Sequence, residues 1–182
     1  YRAVWAAEHL PAGASLGRPL GSAIARLAAR VGPRATAVRR FAEGLGLPRA
    51  DRYARWQTYI DAGARTDLLT SDTLGLLGDY DTAEVMRAAM AGTERLHGLD
   101  AAIQADLATF LPSNLLDAGD RMSMAHGLEV RVPLLDHRLV ELALAIPWNA
   151  KLDVPRRRAK TVFKQALEGL VPDEVLTRPK KG

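Results

Sequence analysis

Cysteine is absent from the 182-residue sequence. This absence excludes a disulfide scaffold, a zinc site built on thiolates and a cysteine nucleophile within the chain. Long apolar runs are also missing, because none approaches the roughly 18–20 residues that a membrane-spanning helix needs. The first residues lack the apolar core of a signal peptide. We therefore expect a cytoplasmic protein without a membrane partner.

Acidic residues are scarce at the amino-terminal end and outnumbered at the carboxy-terminal end. Residues 1–40 contain seven arginines and one acid, Glu8, and residues 151–182 contain nine Lys or Arg and four acids. A basic segment can bind phosphate or nucleic acid, or it can simply be solvated. Nucleic-acid binding rests on charge alone, since no aromatic residues alternate with the carboxy-terminal cations as they do on base-stacking surfaces. We expect no nucleic-acid partner.

Several common catalytic motifs are absent too. The sequence has no G-x-x-x-x-G-K loop followed by Ser or Thr, and no strand followed by G-x-G-x-x-G. His126 and His137 lie eleven residues apart, with Glu129 and Asp136 between them, which is wider than the spacing of most metal-binding motifs. Ser123 lacks the flanking glycines of a nucleophile elbow. These patterns predict structural roles for both histidines and no metal ligands in the chain.

Apolar residues recur at helical spacing along nearly the whole chain. The clearest stripes are Ile24, Leu27, Ala28 and Val31; Val38, Phe41, Ala42 and Leu45; Tyr53, Trp56 and Ile60; Ile103, Leu107, Phe110 and Leu111; and Phe163, Ala166, Leu167 and Leu170. We predict seven or eight helices, hardly any strand, and therefore an all-α chain as it stands. A Gly-, Asp- and Thr-rich segment near 61–80 would separate two helical sub-bundles, roughly 1–60 and 81–182.

Capping residues and prolines predict where helices begin and end. The predicted boundaries are an end at Pro33, a capping box of Asp81 and Glu84, an end at Pro112, an N-cap at Ser113 or Asn114, an end at Gly127, an N-cap at Asp136, an end at Pro147, and short-helix boundaries at Pro172 and Pro179. The stretch LEVRVP, residues 128–133, alternates and is predicted to be extended, because Pro133 disfavours helix at Val132.

The stretch PRRRAKTVFKQAL, residues 155–167, places four cations before or inside the first turn of a predicted helix. Helix N-termini attract anions, and nearby Arg and Lys side chains add to that attraction. One interpretation is therefore a phosphate-binding site. The other is a solvated basic turn.

Two blocks resemble a known family when they are taken together. DRMSMAHGLEVRVPLLDHRLVELALAIP is followed by AKTVFKQALEGLVPDEVLTRPKKG, and this succession resembles the C-terminal part of glutamine-dependent asparagine synthetases over residues 109–182. The resemblance implies the helical C-terminal portion of an α/β, ATP-pyrophosphatase-like (adenine nucleotide alpha hydrolase-like) synthetase domain. The family's S-G-G-x-D-S loop is absent. Residues 1–182 are therefore expected to be a C-terminal fragment of that domain.

The resemblance also implies an activity and partners for the complete protein. The family is an ATP-dependent, AMP-forming amide ligase that converts aspartate to asparagine through a β-aspartyl-adenylate, which glutamine-derived ammonia attacks. ATP and Mg²⁺ would be bound mainly by residues absent from this chain. The expected partners are the N-terminal half of the synthetase domain, a glutaminase domain, the small-molecule substrates aspartate, glutamine and ATP, and a second copy in a homodimer. The fragment alone is expected to be inactive.

The resemblance assigns a role to one residue, and two further candidates come from its surroundings. The family has a catalytic lysine at the head of the helix in the second block, close to the phosphates and the adenylate, and Lys160 occupies that position. Lys164 lies one helical turn later and is a candidate for substrate or phosphate binding, with a solvated lysine as the alternative. Arg131 is a further candidate for such a contact. For Asp120, Arg121, Glu129, Arg131 and Asp136 the sequence favours a structural role through charge-assisted hydrogen bonds, and a substrate or phosphate contact is the alternative.

Two other functions stay open from the sequence. Related enzymes close β-lactam rings or amidate other carboxylates in biosynthetic clusters, and the residues of this chain do not identify the carboxylate. A non-catalytic helical interaction module is the second alternative. Such a module would be a compact monomer without an exposed apolar patch.

Overall fold

The computed structural model describes residues 1–10, 14–31, 35–60, 62–154, 156 and 158–178. These residues are mostly helical, so the all-α prediction is confirmed. The helices are α1 Arg2–His9, α2 Ala14–Val31, α3 Thr36–Gly44, α4 Arg49–Gln57, α5 Ala62–Leu68, α6 Ser71–Leu77, α7 Ala83–Met90, α8 Gly98–Ala108, a π-helix Leu111–Leu116, α9 Asp117–Met124, a 3₁₀ turn Pro133–Leu135, α10 His137–Ala145, α11 Trp148–Lys151, α12 Thr161–Ala166 and α13 Asp173–Thr177. None of the helices in the described ranges is long and apolar enough to cross a membrane.

The chain divides into two compact units, Tyr1–His126 and Gly127–Gly182. In the first unit, α4 packs on α3 and on α7, and α8 packs on α1 and α7. Because α4 and α7 belong to one unit, this division differs from the predicted sub-bundles of roughly 1–60 and 81–182. The second unit contains a short antiparallel pair of strands, β1 Leu152–Asp153 and β2 Arg158–Ala159.

Helix α8 forms the centre of the first unit's core. Its residues Leu99, Ala101, Ala102 and Ala105 are almost completely buried. The three small alanine side chains allow neighbouring helices to approach closely, and Leu99 is the largest of the fully buried side chains. His97 precedes this helix as its N-cap, and its Nδ1 accepts a hydrogen bond from the Leu99 N–H at 3.2 Å. The predicted helix is confirmed, but its predicted apolar stripe of Ile103, Leu107, Phe110 and Leu111 is not the buried face, because Phe110 and Leu111 lie beyond the end of α8 and Phe110 is exposed.

Two arginines on α4 connect three parts of the first unit. Arg52 forms an ion pair with Glu8 of α1 at 3.1 Å, and Arg49 lies 3.6 Å from the same carboxylate. Arg49 Nη1 also donates hydrogen bonds to the carbonyl oxygens of Thr93 at 3.2 Å and Leu96 at 3.0 Å. These bonds satisfy backbone carbonyls in the turn between α7 and α8. Glu8 therefore has two cationic partners, both from α4.

Two tyrosine hydroxyls share one carboxylate beside this core. Tyr53 donates to Asp106 Oδ1 at 2.8 Å, and Tyr1 donates to Asp106 Oδ2 at 2.6 Å. Burial, followed by the charge of Asp106, raises the pKa of Tyr53 well above its ordinary value, and burial and the Asp106 hydrogen bond do the same for Tyr1. Each hydroxyl is therefore held in its protonated, donating form.

Replacing Tyr53 with Phe is expected to lower the free energy of unfolding by about 1–2 kcal/mol at neutral pH, since a hydrogen bond to a carboxylate is lost. Because the folded-state pKa of Tyr53 is raised, its stabilisation is complete below the unfolded-state pKa of about 10 and is lost above it. Urea unfolding across pH 8–11 should therefore show that the free energy of unfolding falls less steeply with rising pH in Tyr53→Phe than in the parent chain. Tyr59→Phe is the control, because Tyr59 is 87% exposed. If the free energy of unfolding fell equally steeply with pH in Tyr53→Phe and in the parent chain, the raised pKa of Tyr53 would be contradicted.

Several predicted boundaries are confirmed and others are wrong. Asp136 caps α10 as predicted, with Oδ1 accepting the Arg138 N–H at 3.0 Å. Gly127 has φ 66° and follows α9, and Pro172 precedes α13 as its N-cap. The predicted helix stripe through Leu170 is too long, because α12 ends at Ala166. Similarly, the stripe that included Ile60 extends past the end of α4. Pro33 and Pro179 lie outside the described residues.

The predicted capping box at α7 is wrong in its details. The N-cap is Thr82, without a side-chain cap, while Asp81 Oδ1 accepts the Ala83 N–H at 3.0 Å. Glu84 turns towards Arg87, whose guanidinium also contacts Asp81. Because Arg87 attracts both carboxylates, Glu84 does not reach back to the cap.

The prediction that Ser113 or Asn114 caps a helix is also wrong. Both residues lie inside the π-helix, and Leu116 is the N-cap of α9 without a side-chain cap bond. Pro112 does not end the helical path, because it lies in the first turn of the π-helix, where a missing N–H costs little.

Candidate functional site

A hairpin in the second unit leads directly into the position of Lys160. Strand β1 pairs with β2 so that Leu152 faces Ala159 and Asp153 faces Arg158. Asp153 stabilises the turn between them, because its Oδ1 accepts the Arg156 N–H at 3.1 Å and its Oδ2 accepts from the Arg156 guanidinium at 3.2 Å. The backbone hydrogen bond from Arg156 lowers the pKa of Asp153.

Lys160 joins β2 to α12 in an unusual backbone conformation. It is the N-cap of α12, with φ 59° and ψ 39°, and no other non-glycine residue in the described ranges has a positive φ. The left-handed conformation costs an L-residue with a Cβ atom roughly 1–2 kcal/mol. The Lys160 side chain is exposed. Strain of this kind concentrates at functional positions, so the outlier supports a functional role for this lysine.

A cleft of about 580 Å³ lies beside this turn. Its lining residues are Arg158, Ala159, Thr161, Lys164, Gln165, Glu168, Asp173, Leu176 and Thr177. The structure therefore places Lys164, predicted to contact substrate, in the cleft wall. Its N–H donates to the Lys160 carbonyl at 2.9 Å, which confirms that the two lysines are one helical turn apart. Carboxylates also line the cleft, so its charge is mixed.

Two residues in the cleft wall were not singled out as site candidates from the sequence. Thr161 Oγ1 is buried and has no hydrogen-bond partner among the described residues. Arg158 lies on β2 and lines the cleft. The sequence carried a signal for each, since both residues flank Lys160 within the basic stretch that leads into a helix. A buried hydroxyl without a partner is a group that a polar ligand can satisfy.

Arg131 lies elsewhere in the second unit, in the extended segment, which we define as residues 128–132. Its Nη2 forms an ion pair with Glu129 Oε1 at 2.7 Å, and both side chains are exposed. The extended conformation stays a prediction, since these residues form neither a helix nor a paired strand. Arg131 is not among the residues that line the cleft. An exposed pair of this kind adds little stability, so the guanidinium is available to other partners.

Other polar candidates from the sequence have local partners. Arg121 Nε donates to Asp117 at 2.8 Å, and the Arg138 guanidinium donates to Asp136 Oδ2 at 2.8 Å. The hydrogen bonds from Arg138 lower the pKa of Asp136. Within the part of the chain that the structure describes, no three His, Asp or Glu side chains form a group that could hold a metal ion.

Comparison with known proteins identifies the family. The family model described as asparagine synthase matches residues 3–182, almost the whole chain. The chain belongs to the asparagine synthase family. Lys160, Lys164 and Arg131 all lie inside the matched range. No solved structure matches the chain significantly.

Part of the chain is also similar in sequence to curated asparagine synthetases. Asparagine synthetase 3 (glutamine-hydrolyzing) of Bacillus subtilis strain 168 is 53% identical over 68 residues, which are 37% of this chain and 11% of the relative. The putative asparagine synthetase (glutamine-hydrolyzing) of Mycobacterium tuberculosis strain H37Rv is 42% identical over 77 residues, which are 42% of this chain and 12% of the relative. The Gallus gallus asparagine synthetase (glutamine-hydrolyzing) is 45% identical over 65 residues, which are 34% of this chain and 11% of the relative. The matched part therefore spans only about a tenth of these relatives' length.

Proposed function

We propose that this chain is the helical C-terminal part of the synthetase domain in an ATP-dependent, AMP-forming amide ligase that converts aspartate to asparagine. The complete domain would have an α/β, ATP-pyrophosphatase-like fold, and a glutaminase domain would supply ammonia. Membership of the asparagine synthase family and the relatives' names support this proposal. The observation that links the proposed function to a particular residue is the left-handed backbone at Lys160, where the family resemblance places the catalytic lysine.

The proposed reaction has two steps. An oxygen of the aspartate side-chain carboxylate attacks the α-phosphorus of ATP, and the bond to pyrophosphate breaks, which leaves a β-aspartyl-adenylate. Ammonia then attacks the acyl carbon, the bond from that carbon to the bridging oxygen breaks, AMP leaves with this oxygen, and the nitrogen loses a proton. The Lys160 ammonium would offset negative charge that develops as pyrophosphate departs, because a positioned cation stabilises such a transition state.

Three neighbours of Lys160 suit a supporting role in phosphate binding. Lys164 and Arg158 bring positive charge to the cleft, and Thr161 brings a buried hydroxyl that lacks a partner in the described part of the chain. Lys164 is proposed to bind substrate or phosphate through this wall of the cleft. Arg131 is proposed as a further contact, which requires its guanidinium to exchange Glu129 for the ligand. Both arginines suit phosphate because the guanidinium can donate two parallel hydrogen bonds.

Magnesium is assigned to the part of the enzyme outside this chain. This assignment follows the family resemblance, and the described residues do not bring together three His, Asp or Glu side chains that could hold a metal ion. The roles proposed for Lys160, Lys164 and Arg131 do not require these side chains to contact the metal. Their proposed role is to contact the anionic oxygens of the nucleotide directly.

The isolated 182 residues are expected to produce no AMP or pyrophosphate from ATP, aspartate and ammonia, because the proposal assigns most nucleotide contacts to other residues. The test compares the purified chain with the complete enzyme in an aspartate-dependent pyrophosphate release assay. Aspartate-dependent turnover by the isolated chain would disprove this part of the proposal. If the complete enzyme releases pyrophosphate with another carboxylate and not with aspartate, the substrate assignment is wrong and the AMP-forming chemistry stands.

A further inference from the structure

Lys160 lies between two elements that both connect to the same short helix. Strand β1 follows α11 directly, and α11 packs on both β1 and α12. Strand β2 pairs with β1 through Leu152 opposite Ala159 and Asp153 opposite Arg158. The contacts therefore form a closed ring, from α11 through β1, β2 and Lys160 into α12 and back to α11. Because Lys160 alone separates β2 from α12, it has to make the turn between two fixed chain directions.

This ring of contacts explains the left-handed backbone of Lys160. A residue with a Cβ atom prefers a negative φ, and φ 59° at Lys160 is kept against that preference. Such a conformation persists only where the surrounding contacts determine the backbone. If the β1–β2 pairing were lost, β2 would no longer fix the direction in which the chain enters Lys160. The backbone would then relax to a negative φ, and the Lys160 side chain would leave it in a different direction.

The β1–β2 pair is too short to be stable through strand pairing alone. Each strand has two residues, and a two-stranded hairpin is only marginally stable in water. The Asp153 side chain closes its turn by accepting both the Arg156 N–H and the Arg156 guanidinium, as aspartates in tight turns do. The hydrogen bonds from Arg156, followed by the charges of Arg156 and Arg158, lower the pKa of Asp153. The carboxylate therefore stays ionised at neutral pH and keeps both bonds.

We propose that Asp153 is a positioning residue for adenylation: its carboxylate closes the β1–β2 turn, and the closed hairpin fixes the Lys160 backbone that directs the ammonium towards the phosphates. Asp153 is not among the residues that line the cleft, so it acts through Lys160 and not on the nucleotide. The inference rests on the proposed function, because its effect on the reaction requires the ammonium of Lys160. A small displacement of that ammonium would weaken its interaction with the charge that develops on the phosphates.

Two substitutions at Asp153 in the complete enzyme test the positioning role. Asp153→Ala should lower kcat for aspartate-dependent ATP–pyrophosphate exchange by about 10–100-fold, because misplacing a catalytic group by about 1 Å has an effect of this size. Asp153→Asn should keep kcat within about threefold of the parent, since its side-chain oxygen still accepts the Arg156 N–H and an exposed ion pair adds little. An equal loss of kcat in both variants would rule out turn closure as the cause.

Asp81 provides a matched control in the first unit. Its Oδ1 accepts a backbone N–H, from Ala83 at 3.0 Å, and its Oδ2 accepts from the Arg87 guanidinium at 2.7 Å. Asp81→Ala therefore removes the same two kinds of hydrogen bond at a position that does not lead into Lys160. ATP–pyrophosphate exchange should be unchanged in this variant. A loss as large as that in Asp153→Ala would show a general effect on folding and would overturn the positioning role.

A double-mutant cycle separates positioning from a loss of folded enzyme. In an enzyme that already carries Lys160→Ala, Asp153→Ala should cause no further loss of ATP–pyrophosphate exchange, because no ammonium is left to position. A loss of folded enzyme would instead multiply the effects of the two substitutions. Multiplied effects in the double variant would therefore contradict the proposal.

Hydrogen–deuterium exchange of the backbone amides in residues 158–164 measures the hairpin without turnover. These amides should exchange faster in Asp153→Ala than in the parent enzyme or in Asp153→Asn, because local opening becomes easier. Unchanged protection in Asp153→Ala would overturn the positioning role even if the ligase function is correct. A parent enzyme without any ATP–pyrophosphate exchange would refute the proposed function and the catalytic part of this inference, whereas faster hydrogen exchange would still support the link between Asp153 and the Lys160 backbone.

Discussion

Replacing Lys160 with Ala in the complete enzyme is expected to reduce aspartate-dependent exchange between ATP and pyrophosphate by about 10²–10³-fold, the usual loss when one positioned donor is removed from a developing negative charge. Glutamine hydrolysis should be unchanged, because the proposal places Lys160 only at the phosphates. Exchange measured with labelled pyrophosphate reports the adenylation step by itself. Unchanged exchange in the Lys160→Ala enzyme would show that this lysine is not catalytic.

The left-handed backbone of Lys160 provides a control that separates chemistry from folding. Lys160→Gly removes the same ammonium, while glycine adopts φ 59° without a steric cost. The free energy of unfolding should therefore stay the same or rise by about 1 kcal/mol relative to Lys160→Ala, whereas both variants lose exchange activity equally. If Lys160→Gly were active and Lys160→Ala inactive, the backbone conformation and not the ammonium would be the essential feature.

Gly21→Ala is expected to give the largest loss of stability, about 1–3 kcal/mol, as is typical when atoms are added to a filled contact. Gly21 lies on α2 where that helix packs against α3, and a Cβ atom there would be 2.3 Å from the Ala42 carbonyl oxygen and 3.1 Å from the Leu45 Cβ. The obstruction is backbone, so no side chain can rotate away, and the two helices must separate. Urea unfolding followed by circular dichroism measures the change.

Gly75→Ala is the matched control for this substitution. Gly75 also lies inside a helix, α6, but a Cβ atom there meets nothing within 4 Å. The alanine should therefore raise stability by about 0.5–1 kcal/mol, the ordinary difference between the two residues in a helix. Opposite signs for the two variants are the expected outcome. A neutral or stabilising effect of Gly21→Ala would mean that α2 and α3 do not pack as closely as described.

The helical architecture could be predicted from the sequence because apolar spacing reports the helix period directly. The stripes that include Ala28 and Ala42 lie on α2 and α3, and both alanines are buried there. Helix ends were harder to predict, because a capping side chain has competing partners. Glu84 was expected to complete a capping box, but the nearby charge of Arg87 attracts it.

The candidate site could be predicted only in part. Lys160 was assigned by family resemblance, and its left-handed backbone was not foreseen, since nothing in AKT forces a positive φ. The burial of the Thr161 hydroxyl was also not foreseeable, because it depends on tertiary packing. The α2–α3 contact at Gly21 is a similar case: a glycine in a helical pattern can mean either weakness or close packing, and only the structure distinguishes them.

We propose that this chain belongs to an enzyme that joins an aspartate oxygen to the α-phosphate of ATP. The most direct test supplies the complete enzyme with ATP, glutamine and aspartate labelled with ¹⁸O in its side-chain carboxylate, and analyses the phosphate products by mass spectrometry. A β-aspartyl-adenylate intermediate predicts one ¹⁸O atom in AMP and none in pyrophosphate. Label in inorganic phosphate together with ADP, or AMP without label, would contradict it.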